Sequence, residues 1–146
     1  MKIYNHQIGF LEYPDECALL LNISGCPNHC KGCHSSYLLN DVGDEISEKF
    51  LMSLIKKYDG VTLVGFQGGD AYPYLVNYFA GYIKKHLGLK TGFYSGRQEL
   101  DENIQLDNFD YIKLGPYIEE LGGLDKEGTN QVLYKVENNK LIDIRK

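Results

Sequence analysis

Four short apolar runs set the limits on how this chain can fold: "CALLLNIS" (Cys17 to Ser24), "VTLVGF" (Val61 to Phe66), "KTGFY" and "DYIKLG". The first is continuously apolar, the pattern of a strand covered on both faces. Between the first two, Ser47 is a good N-cap for a helix that places Phe50, Leu51, Leu54, Ile55 and Tyr58 on one face and stops at Gly60. Between the second and third, Leu75, Phe79, Ile83 and Leu87 repeat with helical spacing up to Gly88. A short helix is expected near Arg97 to Asn103 before the fourth strand. Strands alternating with helices imply βαβ units and a parallel sheet. In the tail, "QVLYKV" and "KLIDI" flank "ENN", a β-hairpin signal with Asn138 and Asn139 in the turn. Four βα units are too few to close an eight-stranded barrel, so the expected fold is an open, partial (β/α) barrel with a C-terminal β-hairpin.

At 146 residues, with no convincing linker and no repeat, residues 1–146 read as one domain. The net charge of -5 and the lack of a basic block argue against nucleic acid as the main partner. The N-terminal "MKIYNHQIGF" lacks the apolar core of a signal peptide, and no apolar run is long enough to span a bilayer. A cytoplasmic protein is therefore expected. In a reducing cytosol, closely spaced thiols point to metal or redox chemistry and away from a disulfide framework.

Each unusual local sequence follows the carboxyl end of an expected strand: "CPNHCKGC", "QGGD", "YSGR" and "KLGPY". Loops at those ends converge on one face of a parallel sheet. In the first of them Cys26, Cys30 and Cys33 form a C-x3-C-x2-C group, with Pro27 and Gly32 disfavouring a helix. Three thiolates can hold three irons of a 4Fe–4S cluster and leave the fourth open to another ligand. A Cys3His zinc site completed by His29 or His34 is the competing reading, and a disulfide with one free thiol is a third. In the second, Gly68, Gly69 and Asp70 form a GGD group that is a weak signal alone, since glycine pairs are common in turns.

The triplet after the first strand and the Gly68, Gly69, Asp70 motif after the second resemble the radical S-adenosylmethionine superfamily. There the open iron is chelated by the amino and carboxylate groups of S-adenosylmethionine, and a "GGE"-type motif meets the methionine ammonium. Within that superfamily, "GCPNHCKGCHS" and "TNQ" (Thr129 to Gln131) look like the activating proteins of anaerobic ribonucleotide reductase, over about Gly9 to Gln131. Gly32 departs from the wider superfamily, in which an aromatic residue often precedes the last cysteine. The resemblance implies reductive cleavage of S-adenosylmethionine and abstraction of a hydrogen from a glycine in the C-terminal loop of the large reductase subunit. A reduced flavodoxin or ferredoxin would supply the electron. No residue is expected to act as a general base. Ser95 and Gly96 fit a ribose-contacting position, and Lys113 fits a charged position near the cofactor carboxylate or, equally, a solvated lysine on an alternating strand. Other small radical enzymes and a non-catalytic zinc adaptor are the alternatives.

Outside these motifs, Cys17 reads as a small core residue, and His6 and His86 as surface residues. The tyrosines of "YPYLVNYFAGY" read as core and rim packing.

Overall fold

A computed structural model of the chain describes residues 1–25, 43–116, 118, 120–121 and 129–144. Its frame is a single eight-stranded mixed sheet in the order β3-β1-β2-β4-β5-β6-β7-β8. The strands are β1 (Lys2–Gly9), β2 (Ala18–Ile23), β3 (Asp44–Glu45), β4 (Leu63–Gln67), β5 (Lys90–Tyr94), β6 (Tyr111–Leu114), β7 (Val132–Glu137) and β8 (Lys140–Asp143). The central β2, β4, β5 and β6 are parallel, as their apolar runs predict.

The expected partial (β/α) barrel is not what forms. The N-terminal segment is a strand, β1, which pairs antiparallel with β2 and carries the two-residue β3 on its far side. At the other side β6 pairs antiparallel with β7, and β7 with β8. Antiparallel strands therefore flank the parallel core on both sides, and among the described residues α-helices join only two of its parallel pairs, α1 between β2 and β4 and α2 between β4 and β5. Among the described residues only two α-helices occur, α1 (Glu48–Lys57) and α2 (Pro73–Tyr82). The helix expected over Arg97 to Asn103 does not form. The Asp101 carboxylate accepts the Asn103 backbone N–H at 2.8 Å, a local bond that competes with helix formation, and a short 3-10 turn at Leu106–Asn108 takes its place.

Both helices obey their sequence signals. The Ser47 hydroxyl accepts the Phe50 N–H at 3.0 Å, and Leu51 and Leu54 face the sheet. Helix α2 begins with Pro73 in its first turn, widens to a π-helical turn over Ile83–Leu87 and ends at Gly88, whose φ of 68° is the left-handed stop. Their apolar stripes pack on one face of the sheet with Leu19, Leu21, Val64, Phe66, Phe93 and Ile112. His6 belongs to this side too, sharing a 2.9 Å hydrogen bond with the Tyr58 hydroxyl. Tyr74 and Tyr78 of α2 lie on the rim, exposed. No helix of the described residues is long and apolar enough to cross a membrane.

The opposite face is covered by a smaller cluster of Tyr13, Ala18, Leu20, Leu63 and Tyr111. Tyr13, on the loop between β1 and β2, is fully buried there. Its ring lies against Gly65 of β4 and Gly92 of β5, which are register partners. Glycine in these strands is what makes room for the ring, since a Cβ on Gly92 would stand 2.3 Å from Tyr13 Cε1. We expect Gly92→Ala to lower unfolding stability by about 1–3 kcal/mol through overpacking. In a denaturant-based double-mutant cycle, Tyr13→Leu should reduce the cost of Gly92→Ala; strictly additive effects would show that the two positions do not press on each other.

Candidate functional site

Parallel register brings the carboxyl ends of β4, β5 and β6 to one level. Gln67 pairs with Tyr94 and Tyr94 with Lys113, so the chain leaves the sheet at Gly68, Ser95 and Leu114–Gly115 side by side. On the neighbouring β2, Asn22 pairs with Gln67, and the chain runs on through Ser24 and Gly25. Cys26, Cys30 and Cys33 follow directly and lie outside the described residues, as do His29 and His34. Among the described residues no group of three or more potential metal ligands occurs. Cys17, a free thiol, is partly buried against the main core, consistent with a packing residue.

The remaining sequence-predicted residues come together. Asp70, 3% exposed, accepts the Ser95 hydroxyl at 2.6 Å on one carboxylate oxygen and the Gly96 backbone N–H at 2.8 Å on the other. Ser95 Oγ in turn accepts the Arg97 N–H at 3.1 Å, and the Arg97 guanidinium donates to the Asp70 carbonyl at 3.2 Å. One carboxylate thus clamps the loop after β4 to the loop after β5. It does not cap the following helix, whose N-cap residue Tyr72 makes no side-chain cap bond. Gly68 and Gly69 both have φ of 95°, and a Cβ on Gly69 would come within 2.8 Å of Val76 Cγ2, so the turn requires glycine there.

Lys113 is buried, which overturns the reading of a solvated lysine. Its ammonium donates to the carbonyls of Ser95 at 2.9 Å and Gly115 at 3.2 Å, and it lies 5.5 Å from the centre of the Tyr94 ring. It joins the β5 loop to the β6 loop as Asp70 joins β4 to β5. The "TNQ" segment completes this side. Gln131 Nε2 donates to the Gly115 carbonyl at 3.4 Å, Asn130 Nδ2 donates to the Pro116 carbonyl at 3.0 Å, and Asn130 Oδ1 is left buried with no hydrogen-bond partner among the described residues. Because Pro116 offers only an acceptor, the Asn130 amide is held with its oxygen turned away.

Below this rim, on the face without helices, lie residues that the sequence did not single out. The Tyr13 hydroxyl donates to Gln67 Oε1 at 3.0 Å, Tyr94 donates to the Glu12 carbonyl, and the Tyr13 ring packs on Tyr94 and Tyr111 at 5.1 and 5.7 Å. Burial pushes the Tyr13 phenol well above its usual range, with help from Tyr94 and Glu12, and raises Tyr94 for the same first reason. Both phenols stay protonated and serve as hydroxyl donors. The in-strand glycines Gly65 and Gly92 are the sequence signal that could have revealed this packing.

Replacing Asp70 by Asn puts an N–H2 group where the carboxylate accepts from Ser95 or Gly96. The chain without cofactors should lose about 1.5–3 kcal/mol in denaturant unfolding, the scale of hydrogen bonds to a charged acceptor. Wild-type stability in Asp70→Asn would mean that the two loops hold each other without this clamp.

The chain matches no protein-family model, no curated protein and no solved structure.

Proposed function

We propose that the chain is a radical S-adenosylmethionine activase that generates a glycyl radical on the large subunit of anaerobic ribonucleotide reductase in the cytoplasm, drawing its electron from a reduced flavodoxin or ferredoxin. The observation that carries the reading is the convergence of Asp70, Ser95, Gly96 and Lys113 into one hydrogen-bonded rim beside the strand whose end leads into the cysteine triplet. The mixed sheet supports it as well as a barrel does, because what the site needs is parallel strand ends, and β2, β4, β5 and β6 supply them.

The donor set fits the two groups. Cys26, Cys30 and Cys33 would hold a 4Fe–4S cluster by three thiolates. The left-handed Gly68 and Gly69 open the backbone where an ammonium needs carbonyls, and the buried negative charge of Asp70 lies in the same loop. The buried, unpaired Asn130 Oδ1 is an acceptor that an N–H of a nucleoside base satisfies. When bound, cluster and S-adenosylmethionine supply one-electron cleavage of a carbon–sulfur bond and with it a radical able to take a hydrogen atom.

The protein's own work is positional. Asp70 holds the β4 and β5 loops at a fixed separation, so anything resting on Gly68, Gly69, Ser95 and Gly96 meets a single rigid surface. Lys113 adds a cation whose amine is fixed by two carbonyls. Tyr13, seated over Gly65 and Gly92, seals the sheet beneath the rim and keeps water from entering along that face.

The test is a set of single replacements in anaerobically reconstituted protein. Cys26→Ala, Cys30→Ala and Cys33→Ala should each abolish S-adenosylmethionine cleavage, whereas Cys17→Ala should keep iron, sulfide and activity. With reductase present, an electron paramagnetic resonance doublet that responds to isotopic labelling of the partner's glycine is expected. Iron retained in the triplet variants but lost in Cys17→Ala would reverse the ligand assignment.

A further inference from the structure

The connection from β1 to β2 is longer than a hairpin needs. Gly9 and Ala18 are register partners, so the chain leaves and rejoins the sheet at one place, and Phe10 to Cys17 close a loop between them. A hairpin connection usually takes about two to five residues. A longer loop with adjacent ends, packed by its own side chains, is a compact surface element often tied to function. This one folds back over the face without helices and lays Tyr13 on Gly65 and Gly92.

The loop is held unevenly. Its C-terminal half is anchored at the amino ends of β4 and β5, where Glu16 meets Lys90 at 2.8 Å and the Cys17 N–H donates to Thr62 Oγ1 at 3.0 Å. The N-terminal half is held at the carboxyl ends of the same strands, by the Tyr13 hydroxyl donating to Gln67 Oε1 at 3.0 Å and the Tyr94 hydroxyl donating to the Glu12 carbonyl. Between the halves stands Asp15, whose φ of 62° is a left-handed conformation uncommon outside glycine. Loop residues of this kind are where a hinge absorbs a change in backbone angle.

Several features of the N-terminal half oppose its present position. Glu12 Oε1 is buried with no hydrogen-bond partner and lies against Gly9, where a Cβ would stand 2.2 Å from it. A carboxylate oxygen kept from water without a partner is costly. Meanwhile Phe10 and Leu11 are 69% and 93% exposed, so this segment buries an acid and leaves its two large apolar neighbours in water. The fully buried Tyr13 ring and the two hydroxyl bonds work the other way.

We propose that Phe10 to Tyr13 form a hinged cover, which swings about Gly9 and Asp15, lifts Tyr13 from its seat on the two glycines and uncovers Gln67 and Tyr94. The closed cover is the major state. Gln67 immediately precedes Gly68, and Tyr94 immediately precedes Ser95, so both latch bonds end beside the loops that Asp70 joins. Opening releases both loops at once. It also exposes the middle of the polar row that begins with Asn22, whose Nδ2 donates to Asn5 Oδ1 at 2.6 Å. The cover is thus a gate on the rim, built into the fold, and it does not depend on the activase reading.

The test is methyl and amide relaxation-dispersion NMR on the full chain, which reads minor states exchanging in microseconds to milliseconds. Leu20 and Leu63 share the cluster under Tyr13, and Leu51 and Leu54 in the helix-side core are the controls. The methyls of Leu20 and Leu63 should exchange with a minor state of about 0.1–10%, the amides of Gly68 and Ser95 should exchange at the same rate, and the controls should not. Tyr13→Phe keeps the ring and loses the bond to Gln67, so the minor population should rise about fivefold, the effect of one neutral hydrogen bond. Glu12→Met puts an apolar tip where the unpaired oxygen lies, so the population should fall about tenfold. Static Leu20 and Leu63 methyls in both wild type and Tyr13→Phe overturn the cover, as does a Glu12→Met variant with a larger minor population. Exchange at Leu20 with Gly68 and Ser95 static overturns the gate on the rim. Exchange that reaches Leu51 and Leu54 reports opening of the whole core and overturns the hinge.

Discussion

Everything at the upper edge of this protein depends on the register of four parallel strands. Leu21, Phe66, Phe93 and Ile112 form one rung directed into the helix-side core, and Asn22, Gln67, Tyr94 and Lys113 form the next, directed to the other face. A slip of one residue in any pair would exchange those faces, burying amides under the helices and exposing phenylalanines. The apolar rung therefore locks the polar one. Because the polar rung is the last of β4 and β5 and the last but one of β2 and β6, locking it also fixes where Gly68, Ser95 and Gly115 leave the sheet, and two buried charges, Asp70 and Lys113, then tie those exits together.

The two faces divide the labour. On one, α1 and α2 supply long apolar side chains and the bulk of the buried surface. On the other, a single tyrosine lies on two glycines, and a polar row runs across the sheet above it. Tyr13 covers the lower part of this face, and no helix of the described residues packs on it. That asymmetry distinguishes the fold from a (β/α) barrel, in which strands curve round to enclose their own site. Here the antiparallel β1 and β7 extend the sheet sideways.

How much of this the sequence reveals varies with the kind of signal. The core strands β2, β4, β5 and β6 and helices α1 and α2 were legible because continuous apolar runs and a 3.6-residue repeat each have one physical meaning. The β7–β8 hairpin was legible from Asn138 and Asn139, which adopt φ of 52° and 60° in its turn. Strand β1 was not, since the shift between Ile3 and Asn5 breaks the alternation that would have marked it. With β1 missed and β7 not placed against β6, a run of βα units looked like part of a barrel. The site divides in the same way. Gly68, Gly69, Asp70, Ser95 and Gly96 could be chosen by their position after strands, and Lys113 as a charge on the fourth strand only through the resemblance, but that Asp70 bonds to Ser95 and not to the helix behind it is a tertiary fact. Asn5, Asn22 and Gln67 look like ordinary polar strand residues until register aligns them. The cysteine triplet has the plainest sequence signal and lies outside the described residues.

The most direct measurement is electron–nuclear double resonance on the reduced, reconstituted protein, with S-adenosylmethionine carrying heavy nitrogen in its methionine amino group. A hyperfine coupling between that nitrogen and the cluster spin is the expected result, because the proposed ligation by three cysteines would leave one iron for the cofactor to chelate. A cluster signal indifferent to the label, or a chain that takes up zinc with neither iron nor sulfide, contradicts the assignment.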